Sequence, residues 1–238
     1  MIKKYRKLKQ LLIAKGKNSE ITNETVKQSL GYQILQPLLL NYPYLPYNSG
    51  AIRPFNISLL LNDIIINDRK SIVEFGGGIS TILISRLIKK NNLNCKLITI
   101  ENDLPWQEKL SSILKSEGIE ENTTIIHAPF IEVDTPFGKN NWYDIKDSLF
   151  KGKNIDLVIV DGPLASIKKL EHSRYPALPK VYKFLAENHM IYLDDTNRSG
   201  EQSIIKQWEK EFNIKFSIHN YATHISHTGF TTTPFNIF

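Results

Sequence analysis

Apolar residues fall along this chain in two alternating rhythms. Short runs rich in β-branched residues stand at 72–73, 97–100, 125–126, 155–160 and 190–193. Nearly unbroken apolarity over so few residues suits strands buried on both faces of a parallel sheet. Between the runs, apolar residues return at helical spacing, as in Ile79, Ile82, Leu83 and Leu87, and in Ile204, Ile205, Trp208 and Phe212. Strand and helix patterns that alternate in this way predict an α/β fold, doubly wound around a mostly parallel sheet. Two further strands are expected at 215–219 and 229–234, as an antiparallel pair.

Punctuation supports the same division. Asp103, Pro105 and Gly118 mark the start, first turn and stop of a helix after the second strand. Ser199 and Gln202 have the spacing of a capping box for the last helix. Upstream, 55–66 reads as a helix leading into the first strand, and Val26, Leu30 and Ile34 mark one face of a helix over 18–35. Prolines and tyrosines crowd 36–54, which forbids a long helix there and favours extended segments. That stretch is too aromatic for a free linker, so it is expected to pack across the domain, with a lid over a pocket as the alternative. No repeat and no boundary follows residue 55. The chain therefore divides into a helical, basic extension over 1–54 and an α/β domain over 55–238.

Charge changes the picture only at the beginning. The chain of 238 residues carries a formal charge of +6, but residues 1–17 hold seven basic side chains and no acid. Without them the balance is 23 basic against 24 acidic, so the domain itself gives no basic footprint for nucleic acid. Tyr5, Leu8, Leu12 and Ile13 can share one helix face within the basic stretch. This suggests weak peripheral contact with an anionic lipid surface or an acidic partner, against the plainer reading of a solvated helix. The single cysteine, Cys95, fits a reducing compartment, and no apolar run approaches the roughly 18 residues of a membrane span. A cytoplasmic protein is expected.

The candidate chemistry gathers where strands end. Ile72 and Val73 run into Glu74, then Gly76, Gly77 and Gly78, with Ser80 or Thr81 placed to cap the next helix. Such a strand, glycine turn and helix form the nucleotide-binding end of a βαβ unit. A dinucleotide site wants Gly-x-Gly-x-x-Gly, and Thr81 stands where the third glycine belongs. Glu74 would also repel a pyrophosphate, while a cationic ligand would be welcome. The second strand ends in Glu101, followed by Asn102. An acid at that tip is placed to accept hydrogen bonds from a ribose diol. The third ends in His127 and Ala128, near where an adenine would lie. The fourth ends in Asp161-Gly162-Pro163 and the fifth in Asp194-Asp195, so three carboxylates reach the edge where ligands bind in open α/β sheets. His172, Arg174 and Arg198 are candidates for gripping an anionic substrate. Trp142 and Tyr143 could stack on a sugar face.

In order and spacing the motifs E-F-G-G-G, I-T-I-E, D-L-V-I-V-D-G-P and Y-L-D-D, with a closing strand pair, resemble the class I methyltransferases that use S-adenosylmethionine (SAM). The resemblance covers about residues 55–235. It implies a seven-stranded sheet with the last strand inserted antiparallel, and SAM bound over the first two strands. Glu74 and the glycine turn, with Ser80 and Thr81, would hold the methionine part and Glu101 the ribose. Asp161-Gly162-Pro163-Leu164 departs from the N-P-P-Y or D-P-P-Y of enzymes that methylate base nitrogens. Asp161, Asp194 and Asp195 are similar to the Mg²⁺ or Mn²⁺ ligands of small catechol-type O-methyltransferases, although Asp195 takes a position that is often Asn there. A metal-free general base at Asp161 is the competing assignment. W-Y-D before the fourth strand is similar to methyltransferases of glycan biosynthesis, which implies a sugar, sugar nucleotide or glycan acceptor. A noncatalytic SAM- or nucleotide-binding module and a nicotinamide oxidoreductase are the rival readings.

Overall fold

In the computed structural model, which describes residues 2–45, 47–220 and 222–228, the expected runs become one seven-stranded sheet. Helices α1 (Ile2–Leu39) and α2 (Pro54–Ile66) precede it. Then β1 (Ser71–Phe75), α3 (Ile79–Lys90), β2 (Lys96–Glu101), α4 (Leu104–Glu117) and β3 (Thr123–His127) build the first half. A hairpin of β4 (Phe130–Thr135) and β5 (Gly138–Tyr143) follows. The second half holds β6 (Ile155–Val160), α5 (Ala177–Val181), β7 (Leu185–Leu193), α6 (Ser199–Phe212), β8 (Ser217–Asn220) and β9 (Thr223–His227). The strand order is β3-β2-β1-β6-β7-β9-β8, parallel except that β9 runs antiparallel to both its neighbours. The order in which the chain adds strands reverses between the parallel neighbours β1 and β6, which is where such folds open a crevice.

The core is built as the apolar runs require. In β6, Leu157 to Val160 are wholly buried, and the single acid in that run is turned to use. The Asp156 carboxylate accepts from the backbone of Lys70 at 2.7 Å and Ser71 at 3.0 Å, tying the start of β6 to that of β1. The register then brings Phe75 beside Val160, so both strands end together.

Four expectations need correction. The basic stretch and 18–35 are one helix, and α1 continues past Pro37 to Leu39. A proline so near a helix end removes little, because few turns follow it. The capping box does not form. Helix α6 starts at Ser199 itself, Arg198 holds the N-cap position, and Gln202 Nε2 donates back to the Thr196 carbonyl. The antiparallel partner of β8 is β9 at 223–227, not 229–234, which lies outside the described residues. Finally, the hairpin β4–β5 was not anticipated. Its strands mix apolar with polar residues because it stands off the main sheet and is half exposed. The side chains of the proposed lipid-facing stripe near the N-terminus also lie outside the described residues.

The segment 36–54 packs on the domain, as its aromatic content suggested. Leu45 and Ile52 join the core beneath it. Arg86 of α3 fastens it: Nη1 donates to the Leu38 carbonyl at 2.8 Å and the guanidinium lies 4.2 Å from the Tyr42 ring centroid. The same guanidinium forms a forked pair with Glu117, both bonds at 2.7 Å, with both side chains buried. Arg86→Met should therefore strand a buried carboxylate and lower the unfolding free energy by about 3–5 kcal/mol in a denaturant titration. Adding Glu117→Leu should recover most of that loss. A double variant no more stable than the single one would show that the pair is not what holds this corner.

Candidate active site

The site begins with two glycines from different turns. Gly76, at the end of β1, has φ +92°, and a Cβ there would lie 2.6 Å from the Gly162 nitrogen. A Cβ on Gly162 would in turn meet Gly76 Cα at 2.8 Å and the Tyr143 hydroxyl at 2.3 Å. Only glycine at both places lets the turn after β1 touch the turn after β6. Gly77 is also packed, since its Cβ would meet Leu110 at 2.9 Å. Gly78 differs. It is extended, and a Cβ there would find nothing within 4 Å.

That open side faces a cavity of about 160 Å³ lined by Gly77, Gly78, Ile79, Ser80, Trp106 and Asp161. Its other wall is Asn48 and 50–52 from the proline-rich segment. The segment therefore lies across the glycine turn, where the lid alternative would put it. Trp106, which sequence reasoning passed over, donates its indole N–H to the Gly77 carbonyl at 2.8 Å. Its position in the first turn of a helix after a strand ending in acid was the available signal.

Glu74 takes a different place from the one its motif suggests. Its carboxylate is wholly buried, and it accepts from Ser80 at 2.5 Å, Thr81 at 2.5 Å and Thr99 at 2.8 Å. Burial pushes its pKa up, and these three hydroxyls pull the other way. Thus Glu74, Ser80 and Thr81 bind one another and tie α3 to β1 and β2.

Glu101 is likewise engaged. Oε2 accepts from Gly77 N at 2.9 Å, and Oε1 from Asn102 N and Asp103 N, both at 2.8 Å. Asp103 itself caps α4 through Trp106 N at 2.8 Å. His127 is exposed and its Nε2 lies 3.0 Å from the Asn102 carbonyl, while the buried Ala128 donates its N–H to the Glu101 carbonyl at 2.8 Å. The structure thus gathers Glu101, Asn102, His127 and Ala128 at one strand edge.

Across the cavity, Asp161, Asp194 and Asp195 each offer an oxygen within 4.8 Å of the others. Asp194 Oδ1 accepts from Tyr192 at 2.9 Å, Thr223 at 3.0 Å and Asn56 at 3.3 Å. Arg174, only 3% exposed, reaches into the same group. Its Nη2 lies 3.1 Å from Asp195 and 3.5 Å from Asp161, and its Nη1 lies 3.6 Å from the buried Glu201. Arg198 stands 2.8 Å from Asp195 and 3.5 Å from Glu201, with its side chain partly exposed. Burial drives the Asp161 carboxyl well above the ordinary range. Arg174 opposes this, and the neighbouring Asp194 and Asp195 add to it. Asp194 is raised too, by burial first and then by Asp195.

The remaining candidates are committed elsewhere. The His172 ring stacks on Phe137 of the hairpin turn, centroids 4.0 Å apart, and burial lowers its pKa. Trp142 and Tyr143 are buried against Phe75. They hold the hairpin onto the end of β1 instead of presenting faces to a sugar.

The two kinds of glycine make a direct test. Gly78→Ile should change unfolding free energy by no more than about 0.5 kcal/mol, as an open position allows, yet abolish SAM binding in calorimetry. Gly76→Ala should destabilise the fold by about 1–3 kcal/mol through backbone strain. Unimpaired SAM affinity in a folded Gly78→Ile protein would place the cofactor elsewhere.

Comparison with known proteins agrees with this architecture. Residues 73–196, just over half of the chain, match the family described as Methyltransferase domain. No curated protein matches the sequence. Among solved structures, the chain is similar to the SAM-bound O-methyltransferase TomG of Streptomyces achromogenes, involved in tomaymycin synthesis. That match has 16% identity and a TM-score of 0.52, covering 89% of this chain and 96% of that one. An O-methyltransferase of Bacillus cereus in complex with S-adenosylhomocysteine (SAH) matches with 14% identity and a TM-score of 0.51, over 85% and 91% of the two chains. The SAH-bound methyltransferase PaMTH1 of Podospora anserina matches with 11% identity and a TM-score of 0.56, over 84% and 88%. Motif order, sheet topology and family match converge, and the chain belongs to the methyltransferase-domain family, in its class I fold.

Proposed function

We propose that this protein is a SAM-dependent O-methyltransferase whose general base is Asp161, acting on a hydroxyl of a small polar acceptor such as a sugar, sugar nucleotide or glycan. The observation that carries the reading is that Asp161 lines the same cavity as Gly77 and Gly78. The glycine turn that would receive the cofactor and the carboxylate that would take the proton border one cavity. The O-methyltransferases TomG and that of Bacillus cereus, with SAM and SAH bound, support the cofactor and the acceptor atom.

The residues present fit SAM. The vacant side of Gly78 is a cradle that any Cβ would fill, and Glu101 sits at the tip of β2 where a ribose would lie. Bound SAM supplies an electrophilic methyl group on a sulfonium centre. The chain must hold an acceptor oxygen in line with it and take the hydroxyl proton. Asp161 is suited to the proton, because a carboxyl raised towards neutrality is a stronger base than an ordinary one. Positioning by the cavity walls supplies much of the remaining advantage.

A divalent cation fits less well. The three carboxylates are near enough to share one, but the Arg174 guanidinium already stands against Asp161 and Asp195.

SAH release from SAM should therefore appear with hydroxylated acceptors from a panel of sugars and sugar nucleotides. Turnover should rise with pH through a midpoint above the ordinary aspartate value of about 4, because the base works only after losing its proton. Asp161→Asn should bind SAM normally and turn over at least about 100-fold more slowly. An Asp161→Asn enzyme with normal turnover would remove Asp161 from the chemistry.

A further inference from the structure

We infer that Arg174 is the resident cation of the acid cluster and excludes divalent ions from it, so that the site works without a metal. The inference rests on the reading that this cluster is the acceptor end of a methyl-transfer site. Arg174 is placed as an internal counter-ion. Its Nε donates to the Pro163 carbonyl at 3.1 Å and its Nη1 to the Asp194 carbonyl at 3.2 Å, so one guanidinium bridges the turns after β6 and β7. Both ends of that fork then face carboxylates: Nη2 meets Asp161 and Asp195, and Nη1 meets Glu201. A guanidinium cannot shed its charge at accessible pH, and its planar donor set fixes its direction.

Most of the charges around it are matched. Asp195 is shared between Arg174 and Arg198, and the buried Glu201 lies 3.6 and 3.5 Å from the same two arginines without a hydrogen bond to its carboxylate. Asp194 has three donors on one oxygen, from Tyr192, Thr223 and Asn56. Asp161 is the one of the three aspartates that lines the cavity, and Arg174 approaches it no nearer than 3.5 Å. A divalent ion among Asp161, Asp194 and Asp195 would sit beside a fixed positive charge in a poorly screened pocket, where like charges repel strongly. Oxygen-ligand sites for Mg²⁺ or Mn²⁺ gain affinity from unbalanced carboxylates, and here Arg174 removes that imbalance.

The test uses Mn²⁺ alone, titrated into the full chain and followed by electron paramagnetic resonance. The wild-type protein should show no micromolar site, while R174M should gain one and R174M/D161N should lose it again. Because R174M leaves Glu201 short of a partner, R174M/E201Q is the second variant, and it should gain the same site. A micromolar Mn²⁺ site in the wild type that D161N abolishes would overturn the inference. So would folded R174M or R174M/E201Q protein that still rejects Mn²⁺ as the wild type does, since Arg174 would then not be what excludes it. SAM calorimetry on the same proteins separates this from failure of the methyltransferase reading, which would show as absent SAM binding whatever Mn²⁺ does.

Discussion

The contact between Gly76 and Gly162 is the constraint on which the site depends. β1 and β6 are hydrogen-bonded neighbours, and the N–H groups of Asp161 and Gly162 both donate to the Phe75 carbonyl, at 3.0 and 2.7 Å. Two turns can share one carbonyl only if their backbones nearly touch. That closeness carries Asp161 to the edge of the cavity beside Gly77 and Gly78. Tyr143 packs its hydroxyl against the same point, which is why the hairpin β4–β5 matters to a site it does not line. Any side chain at either glycine would part the cofactor wall from the base.

Buried carboxylates surround this contact, and they are stabilised by different means. Glu74 relies on three neutral hydroxyls and keeps a raised pKa. Asp63 and Glu117 are each matched by a forked arginine, Arg69 and Arg86, in pairs remote from the cavity. Such pairs add little net stability but are costly to break, so they fix one arrangement of the chain. Around Asp161 the matching is uneven: Asp195 is held at 3.1 Å by Arg174 and 2.8 Å by Arg198, while Arg174 stands 3.5 and 3.6 Å from Asp161 and Glu201. Loose pairing leaves a carboxylate partly available.

Much of this was legible in the sequence because it rests on local pattern. The strand runs, the glycine turn and the acids at the strand ends each announce themselves within ten residues, and the sheet formed around them as expected. What was hidden depends on long-range packing. Sequence gives Gly76, Gly77 and Gly78 as equivalent, yet Leu110 and Gly162 claim the first two and leave only the third open. Arg174 reads as a free fork for an anionic substrate until the fold buries it among acids. Trp142 and Tyr143 read as a sugar platform until Phe75 covers them. Ser199 and Gln202 have capping-box spacing, but the helix start differs by one residue and the pattern loses its meaning.

The proline-rich segment shows how residues that precede the sheet come to line the same cavity as its glycine turn. Arg86 holds 38–43 from below, while Asn48 and 50–52 lie over the glycine turn, and Asn56 at the start of α2 reaches Asp194. The chain therefore reaches both the cavity and the acid cluster before it has formed a single strand. A ligand seated on the glycine turn would contact this segment from above and Trp106 from the side. Rigid strand ends set the distance between the glycine turn and Asp161, because sheet hydrogen bonds leave them little freedom. The segment 48–52 lines the cavity without being part of the sheet, so it can vary without moving the strand ends. A fold arranged in this way can alter that wall through 48–52 while the contact between Gly76 and Gly162 stays as it is.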